Sequence, residues 1–423
     1  VLEGVQQRSF PTLQSLQKEV WAAENLRTLE KYIDMFRAGD ERWLVEEFLP
    51  SLATLALRMG ELFPCDPFEN VLELIQLDKL QIACLLAHAF FGLLPRHPSG
   101  STQLQFVRIL ESSFFRHQIH KLASIICYFE AVIEQMNKKN GKSLESFVVT
   151  YERKQLEHKS DFGKSEKSLS RLTVHGEGKI SDIPHSLHVD FANERIGGLV
   201  LHDGMVQEEV HFTVHPECFI SMIFSSAMRH NEVIYIRGAE QYSRYSGYGS
   251  SFVFEGRFEL VSQQDEVNLR ELVILEERKL QVPLDIVAMD AVPYSLIGRQ
   301  AQWEHKFIER DLCKAYCAFH IEDWKFKPCP DSVSTGNWGC GMFGGDKQLK
   351  VAIQWLAASE AEIPIHFVTY NSAAQAATIL DFVETVEGLT VGQLYAYIIQ
   401  ACEESPTPNS LFNCVTRYCT TTK

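Results

Sequence analysis

The chain has 423 residues, of which 45% are hydrophobic and 22% are charged, and its formal net charge at pH 7 is −15. This length predicts two or three domains, and the composition excludes extended disorder. The acidic balance opposes steered or sequence-specific binding to nucleic acid. The eleven cysteines are odd in number and contain no CxxC pair, which indicates a reducing compartment rather than a disulfide framework or a zinc site.

The N-terminal region, residues 1–152, is predicted to be all-helical. Leu26, Leu29, Ile33 and Phe36 follow one another at spacings that place them on one helix face, and similar stripes recur up to about residue 136. A polar segment then interrupts the periodicity from residue 137 to residue 142. We interpret this region as a helical accessory domain.

The longest apolar run of the chain covers residues 80–94 and contains Gln81 and His88. This run is shorter than the roughly 20 residues that span a bilayer, and it includes two polar side chains. It therefore predicts a buried core helix, and we expect no association with a membrane.

The second region, residues 153–423, alternates short apolar runs with helical segments. Such strands suit a sheet that helices cover on both faces, which predicts an α/β fold with α/β/α layers. The polar stretch Arg153–Ser170 is interpreted as a linker or a long surface loop. The predicted strands lie near residues 187–191, 233–236, 286–289 and 365–369, and the predicted helices cover Pro216–Arg229, Asp346–Ala358 and, after a capping box at Thr390 and Gln393, a segment to about Cys402.

A pair of glycines precedes a pair of carboxylates in the second region. Gly197 and Gly198 would let the backbone approach a ligand closely, and Glu208 and Glu209 could supply general acid–base chemistry. By themselves, the glycines also fit a plain turn and the carboxylates a solvated corner.

A glycine-rich segment at residues 334–346 directly precedes a predicted helix. It has five glycines within the ten positions 336–345, and neither the P-loop nor the Rossmann spacing occurs in it. Backbone N–H groups before a helix N-terminus favour a phosphate site. The alternative is a long ordered turn with exposed Trp338 and Phe343.

A third motif contains three tyrosines, at positions 242, 245 and 248, just after the strand near residues 233–236. Taken alone, it fits a turn that caps the core better than a ligand site. Combined with the other two motifs, however, it resembles the poly(ADP-ribose) glycohydrolase family. The resemblance rests on residues 189–193, the glycine pair, residues 207–209, 240–243, 247–248 and 335–346, and, in the helical region, residues 89–91, 121–122, 127–129 and 149–153.

The resemblance implies a macrodomain with a mixed sheet, preceded by the helical accessory domain. It also implies hydrolysis of the ribose–ribose O-glycosidic bonds of poly(ADP-ribose) on modified proteins, with release of ADP-ribose, without a cofactor or a metal. Such a protein is expected in the nucleus or the cytoplasm, in the response to DNA damage. Two alternatives stay open: a macrodomain that binds ADP-ribose without cleaving it, and a glycohydrolase that removes single ADP-ribose groups.

The resemblance also assigns site residues. It implies that Glu209 is the catalytic carboxyl, that Glu208 holds the ribose, and that Asp190 belongs to the same catalytic group. Leu199 stands where the family usually has a third glycine, so either the turn differs or that glycine is not essential; we favour the second. The implied substrate-binding residues are Ile180, Ser181 and Asp182 at the adenine edge, Asn193, Gly197, Gly198 and Gln207 around the ribose, Tyr245 and Tyr248 in a tyrosine clasp, Asn337, Trp338, Gly339, Cys340, Gly341 and Met342 in a pyrophosphate loop, and the aromatic residues Phe343 and Tyr370.

Overall fold

A computed structural model describes residues 1–64, 73–95, 103–111, 115–138, 144–258, 284–321, 329–404 and 406–421. The chain divides into two compact units, each built from several segments. Unit 1 comprises Val1–Tyr151, Arg195–Ala227 and Ile236–Pro283, and unit 2 comprises Glu152–Glu194, Met228–Tyr235 and Leu284–Lys423. A domain boundary after residue 152 stays a prediction.

The helices of unit 1 lie mainly in its first segment. They are α1 (Leu2–Gln6), α2 (Leu13–Leu16), α3 (Arg27–Phe36), α4 (Leu49–Ala56), α5 (Met59–Leu62), α6 (Lys79–Phe90), α7 (Val107–Leu110), α8 (Arg116–Asn137), α9 (Gln207–Val214) and α10 (Ile220–Phe224). Those of unit 2 are α11 (Tyr294–Ile297), α12 (His305–Phe319), α13 (Lys347–Glu360), α14 (Ala373–Thr385), α15 (Val391–Glu403) and α16 (Leu411–Thr421). No helix within the described ranges is long and apolar enough to cross a membrane.

The strands form a mixed eight-stranded sheet and a separate antiparallel pair. They are β1 (Leu74–Asp78), β2 (Val148–Gln155), β3 (Leu172–His175), β4 (Ser186–Asp190), β5 (Glu232–Ala239), β6 (Ser243–Ser246), β7 (Val253–Arg257), β8 (Leu284–Ala288), β9 (Ser332–Thr335) and β10 (Ile365–Val368). The order in the large sheet is β1-β2-β5-β8-β4-β9-β10-β3, and β6 pairs with β7.

The core of the helical region centres on Phe90, at the end of α6. Its ring packs edge-to-face against Trp21, Phe48 and Phe129, at centroid distances of 6.0, 5.9 and 5.7 Å. Edge-to-face packing is a favoured arrangement of aromatic rings. The described part of this region is mostly helical, as predicted, and the buried helix predicted for residues 80–94 is α6, which ends at Phe90.

Four neighbouring strands of unit 2 run parallel, so their carboxyl ends meet at one edge of the sheet. β4 pairs with both β8 and β9, and β9 pairs with β10. Every residue of β4 and β9 is buried, as the apolar pattern predicted for strands covered on both faces. The segments that follow β4, β9 and β10 therefore begin at the same edge.

Three expectations about secondary structure were wrong. The N-terminal region contains strand β1, which ends at Asp78, the residue that caps α6. The helix predicted to reach Arg229 ends at Phe224. The stretch Arg153–Ser170 is no free linker, because Phe162 is buried and Ser170 donates its N–H to Ser359 Oγ on α13 at 2.9 Å.

The predicted capping box at the start of α15 is present. Thr390 Oγ1 accepts the N–H of Gln393 at 3.2 Å, and Gln393 Oε1 accepts the N–H of Thr390 at 2.9 Å. We expect Thr390→Ala to lower the free energy of unfolding by about 1 kcal/mol, because one N–H at the helix start loses its acceptor. Urea denaturation measures this change. Thr378→Ala, inside α14, is the control with little expected loss, and equal stability of the two variants would contradict the role of the cap.

Candidate active site

The paired carboxylates lie in the first turn of α9 and are both buried, with exposed fractions of 3% for Glu208 and 4% for Glu209. Gly197 donates its N–H to Glu208 Oε1 at 2.6 Å. Leu199 and Val206 donate theirs to Glu209 Oε1 at 3.0 Å and to Oε2 at 2.8 Å. The backbone of one short loop thus fixes the orientation of both carboxyl groups.

The glycine pair makes this close approach possible. Gly197 and Gly198 have φ values of +92° and +49°. Residues other than glycine disfavour this region of backbone conformation. A Cβ on Gly198 would lie 2.6 Å from Glu208 Oε2 and 2.7 Å from Glu209 Oε1. A side chain at this position would therefore displace both carboxyl groups.

Leu199 accommodates its side chain without backbone strain. Its φ is not positive, and its side chain is 61% exposed. The conformation at this position therefore does not require a glycine, and the view that the third glycine is not essential stays a prediction.

The two tyrosines of the predicted clasp also lie in unit 1. Tyr245 stacks on Phe252 at 5.5 Å and packs against the apolar cluster that includes Met205. Desolvation raises the pKa of Tyr248; the backbone of Gln207 opposes this shift, and the negative charge of Glu209 adds to it. The hydroxyl of Tyr248 therefore lies close to the first turn of α9. The structure brings together six of the predicted site residues: Gly197, Gly198, Gln207, Glu208, Glu209 and Tyr248.

The remaining predicted residues belong to unit 2 and follow the carboxyl ends of its parallel strands. Asp190 is the last residue of β4 and is fully buried, and Asn193 follows it in the next turn. A Cβ on Gly336, just after β9, would lie 2.9 Å from Tyr370 Cε2 and 3.6 Å from Phe191 Cζ. The segments after β4, β9 and β10 therefore converge on Gly336.

The predicted adenine-edge residues form a short 3₁₀ turn between β3 and β4. Ile180 is buried, and its carbonyl accepts the hydroxyl of Ser334 on β9 at 3.0 Å. Asp182 is exposed, and its Oδ2 accepts the N–H of Lys179 at 2.9 Å. Ser181 lies between them, half-buried.

The glycine-rich segment after β9 is an ordered loop. Gly345 donates its N–H to the carbonyl of Gly339 at 2.9 Å, and Asp346 caps α13 by accepting the N–H groups of Gln348 and Leu349. Asn337 and Gln375 exchange amide hydrogen bonds, the shorter of which is 2.7 Å. In the same loop Gly341 and Met342 are exposed, Cys340 and Phe343 are half-buried, and burial raises the pKa of Cys340 to about 12.

Trp338 is fully buried, so the expectation of an exposed ring was wrong. Its indole Nε1 donates to the carbonyl of Met289 at 2.9 Å. Lys350 Nζ lies 3.9 Å from the centre of the same ring, a cation–π contact. The tryptophan anchors the loop to the protein instead of offering a stacking surface.

A buried charge network under this loop was not found from the sequence. Lys350 pairs with Asp311, Arg310 pairs with both Asp311 and Asp290, and Lys314 Nζ lies 2.7 Å from Asp290 Oδ1. These three cations and two anions carry a net positive charge when all are ionised. The only signal for the network in the sequence was a group of charged residues within predicted helices, which usually indicates a solvated face.

Within the described ranges no group of three or more histidine, cysteine or acidic side chains could hold a metal ion.

Comparison with known proteins defines first the class and then the family. Residues 159–377 match the family model described as poly(ADP-ribose) glycohydrolase, macro domain fold, and residues 37–153 match the model of its helical domain. The catalytic region is thus a macrodomain.

The chain is 31% identical over 406 residues to poly(ADP-ribose) glycohydrolase 1 of Arabidopsis thaliana, covering 78% of this chain and 72% of the relative. It is 32% identical over 380 residues to poly(ADP-ribose) glycohydrolase 1 of Caenorhabditis elegans, covering 88% and 46%. The chain belongs to the poly(ADP-ribose) glycohydrolase family. A crystal structure of poly(ADP-ribose) glycohydrolase from Deinococcus radiodurans in complex with ADP-ribose aligns at 16% identity over 53% of this chain and 86% of that one, with a TM-score of 0.32 that supports no further statement.

We expect Gly198→Ala to lower the free energy of unfolding by about 1–3 kcal/mol. The alanine has to adopt a left-handed conformation, and its Cβ overlaps both carboxyl groups. Urea denaturation measures the loss. Gly60→Ala, where an added Cβ meets nothing within 4 Å, is the matched control and should be at least as stable as the wild type. A Gly198→Ala variant with wild-type stability would contradict the geometry.

Proposed function

We propose that the chain hydrolyses the ribose–ribose O-glycosidic bonds of poly(ADP-ribose) and releases ADP-ribose, with Glu209 as the general acid and base. Membership of the poly(ADP-ribose) glycohydrolase family supports the reaction. The observation that supports the role of Glu209 is the pair of backbone N–H groups, from Leu199 and Val206, that holds its two carboxyl oxygens.

In this proposal Glu209 first donates a proton to the leaving ribose oxygen while an oxocarbenium-like centre develops on the other ribose. The carboxylate that results then removes a proton from the attacking water, which transfers its hydroxyl to that centre. The proton returns to Glu209, so each cycle consumes one water and leaves the enzyme unchanged.

Glu208 is assigned to ribose binding rather than to a second catalytic role. Glycosidases of the usual kind place two carboxyl groups on opposite sides of the bond. Here the same loop holds both Glu208 and Glu209. The position that a Cβ on Gly198 would take lies within 2.7 Å of a carboxyl oxygen of each. This arrangement supports one acid–base carboxyl beside a carboxylate that accepts ribose hydroxyl groups, together with Gln207 and Asn193.

The residues of unit 2 are assigned to the ADP portion. The N–H groups of the loop Asn337–Met342 bind the diphosphate, and the buried cation Lys350 adds a favourable potential beneath it. Phe343 and Tyr370 supply ring faces for the terminal ribose and the adenine, and the clasp residues Tyr245 and Tyr248, which belong to unit 1, supply rings and hydroxyl groups to the substrate. Asp190, at the end of β4, is assigned to the catalytic group with Glu208 and Glu209, and Ile180, Ser181 and Asp182 read the adenine edge.

The proposed physiological substrate is poly(ADP-ribose) attached to modified proteins. A role in the DNA damage response, in the nucleus or the cytoplasm, fits this substrate and stays a prediction.

We expect Glu209→Gln to lose at least about 10²-fold in kcat, since general acid–base catalysis contributes about 10²- to 10⁴-fold. The amide cannot take up or release the proton, and its NH₂ group has to face the N–H of Leu199 or Val206. The assay incubates each protein with poly(ADP-ribose), resolves the products and titrates ADP-ribose binding separately.

Glu387→Gln, an exposed position outside the site, is the matched control and should retain wild-type turnover. A Glu209→Gln variant with near-normal kcat would contradict the assignment. A wild-type protein that binds ADP-ribose and leaves the polymer intact would instead indicate a macrodomain that only binds, and release limited to single protein-attached groups would indicate the other alternative.

The affinity for poly(ADP-ribose) should depend only weakly on salt. A protein of net charge −15 that binds phosphate through backbone N–H groups releases few counterions from the polymer. Between about 50 and 200 mM salt we expect less than about a tenfold loss of affinity, against about 10³- to 10⁵-fold for proteins with six to ten phosphate contacts. Titration of Glu209→Gln with polymer at several salt concentrations measures the slope, and a steep fall would contradict backbone-mediated binding.

A further inference from the structure

Lys121 of α8 is a fully buried lysine whose amine contacts the loop that holds the catalytic carboxyl. Its Nζ donates to the backbone carbonyls of Val200 at 2.9 Å, His202 at 2.6 Å and Gly204 at 2.8 Å. All four residues belong to unit 1. A single side chain thus connects three alternate residues of one loop.

The number of carbonyls around Lys121 Nζ indicates the protonation state of the amine. An ammonium group has three N–H donors and no acceptor, so three carbonyls satisfy it completely. A neutral amine has two N–H donors and a lone pair, and that lone pair would face the third carbonyl oxygen. The observed arrangement is therefore complete only when Lys121 is protonated.

The same loop uses its N–H groups to hold the carboxylates. Gly197 donates to Glu208, and Leu199 and Val206 donate to Glu209, while the carbonyls at 200, 202 and 204 point to Lys121. The three carbonyls belong to other peptide units than these N–H groups, but they lie between Leu199 and Val206 in the chain, so a change in their contacts would move both N–H donors of Glu209 through the intervening backbone.

We propose that Lys121 is a positioning residue of the reaction: its ammonium group holds the loop 197–206 in the conformation that orients Glu209. This inference rests on the proposed function. It assigns to the helical region a direct part in setting the geometry of catalysis, through a residue that need not touch the substrate.

The other groups near this loop differ from Lys121 in what they contact. His117 Nε2 lies 3.2 Å from the carbonyl of Asp203, and Arg108 Nη1 lies 2.9 Å from His202 Nε2. Both contacts are made to exposed residues of the loop, and each reaches a single group of the loop. The charged and titratable groups that act on Lys121 or respond to its charge are Glu209, Asp203, His117 and His202.

The protonation of Lys121 makes the positioning dependent on pH. Burial lowers the pKa of Lys121 from its usual 10.5 to about 7, against the opposing effect of the negative charges of Glu209 and Asp203. As pH rises above about 7 the ammonium is lost in the folded protein, and kcat should fall. The unfolded chain still binds that proton up to about pH 10.5, so the same titration should make the free energy of unfolding rise with pH.

The test compares the wild type with Lys121→Met, which keeps the length of the side chain and removes the donors. We expect kcat for poly(ADP-ribose) to fall about 10- to 100-fold with a smaller change in KM, as for other displacements of a catalytic group. We also expect the fall of kcat that the wild type should show above about pH 7 to be absent in Lys121→Met. Lys121→Gln, which keeps two N–H donors without the charge, should give a reduced kcat that is equally insensitive to pH in this range.

The matched control is Lys154→Met, which removes a lysine that donates to the carbonyl of His320 in unit 2. It should keep the wild-type kcat and pH profile per folded molecule. A Lys121→Met variant with wild-type kcat and an unchanged alkaline limb would overturn the inference. If neither Lys121 variant folds, a wild-type kcat that stays constant between pH 6 and 9 would overturn it as well. A wild type that releases no ADP-ribose would refute the proposed function instead.

Discussion

The loop 197–206 directs its N–H groups and its carbonyl groups to different partners, and the candidate catalytic centre depends on this division. Its N–H groups bind the carboxylates of α9, and its carbonyls bind the ammonium group of Lys121. A buried carboxyl group and a buried lysine are each costly without partners, and the loop supplies backbone partners to both. Peptide N–H groups thereby fix the orientation of the Glu209 carboxyl.

In the proposed function, the glycine-rich loop of unit 2 binds phosphate within an acidic protein. Its cation, Lys350, lies behind the ring of Trp338 and is paired with Asp311. The buried position removes the conformational freedom and hydration that a surface lysine would lose on binding. The loop can therefore present N–H groups to an anion while the supporting charge stays enclosed.

Local patterns in the sequence were enough to predict much of this fold. The strands β4, β5, β8 and β10 follow from short segments rich in apolar residues, and the start of α15 follows from Thr390 and Gln393, because each signal lies within a few residues. The roles of Glu208, Glu209 and the glycine pair came from the family resemblance. Their spacing alone favoured an ordinary turn with a solvated corner.

Features that depend on partners distant in the sequence could not be predicted. The burial of Trp338 depends on the carbonyl of Met289, 49 residues away, and the ordering of residues 153–170 depends on α13. The strand β1 was missed because its few residues interrupt a long helical pattern. In each case the decisive contact is tertiary and leaves no periodic trace.

The contacts of Lys121 have a consequence for the order in which the protein is made. The carbonyls that accept its hydrogen bonds lie 79 to 83 residues later in the chain. At about 5–20 residues per second, a ribosome takes roughly 4–16 seconds to synthesise that interval. During this time the amine has to stay hydrated, so α8 can complete its burial only after the later segment has emerged. The part of the helical region that carries Lys121 therefore matures together with the loop.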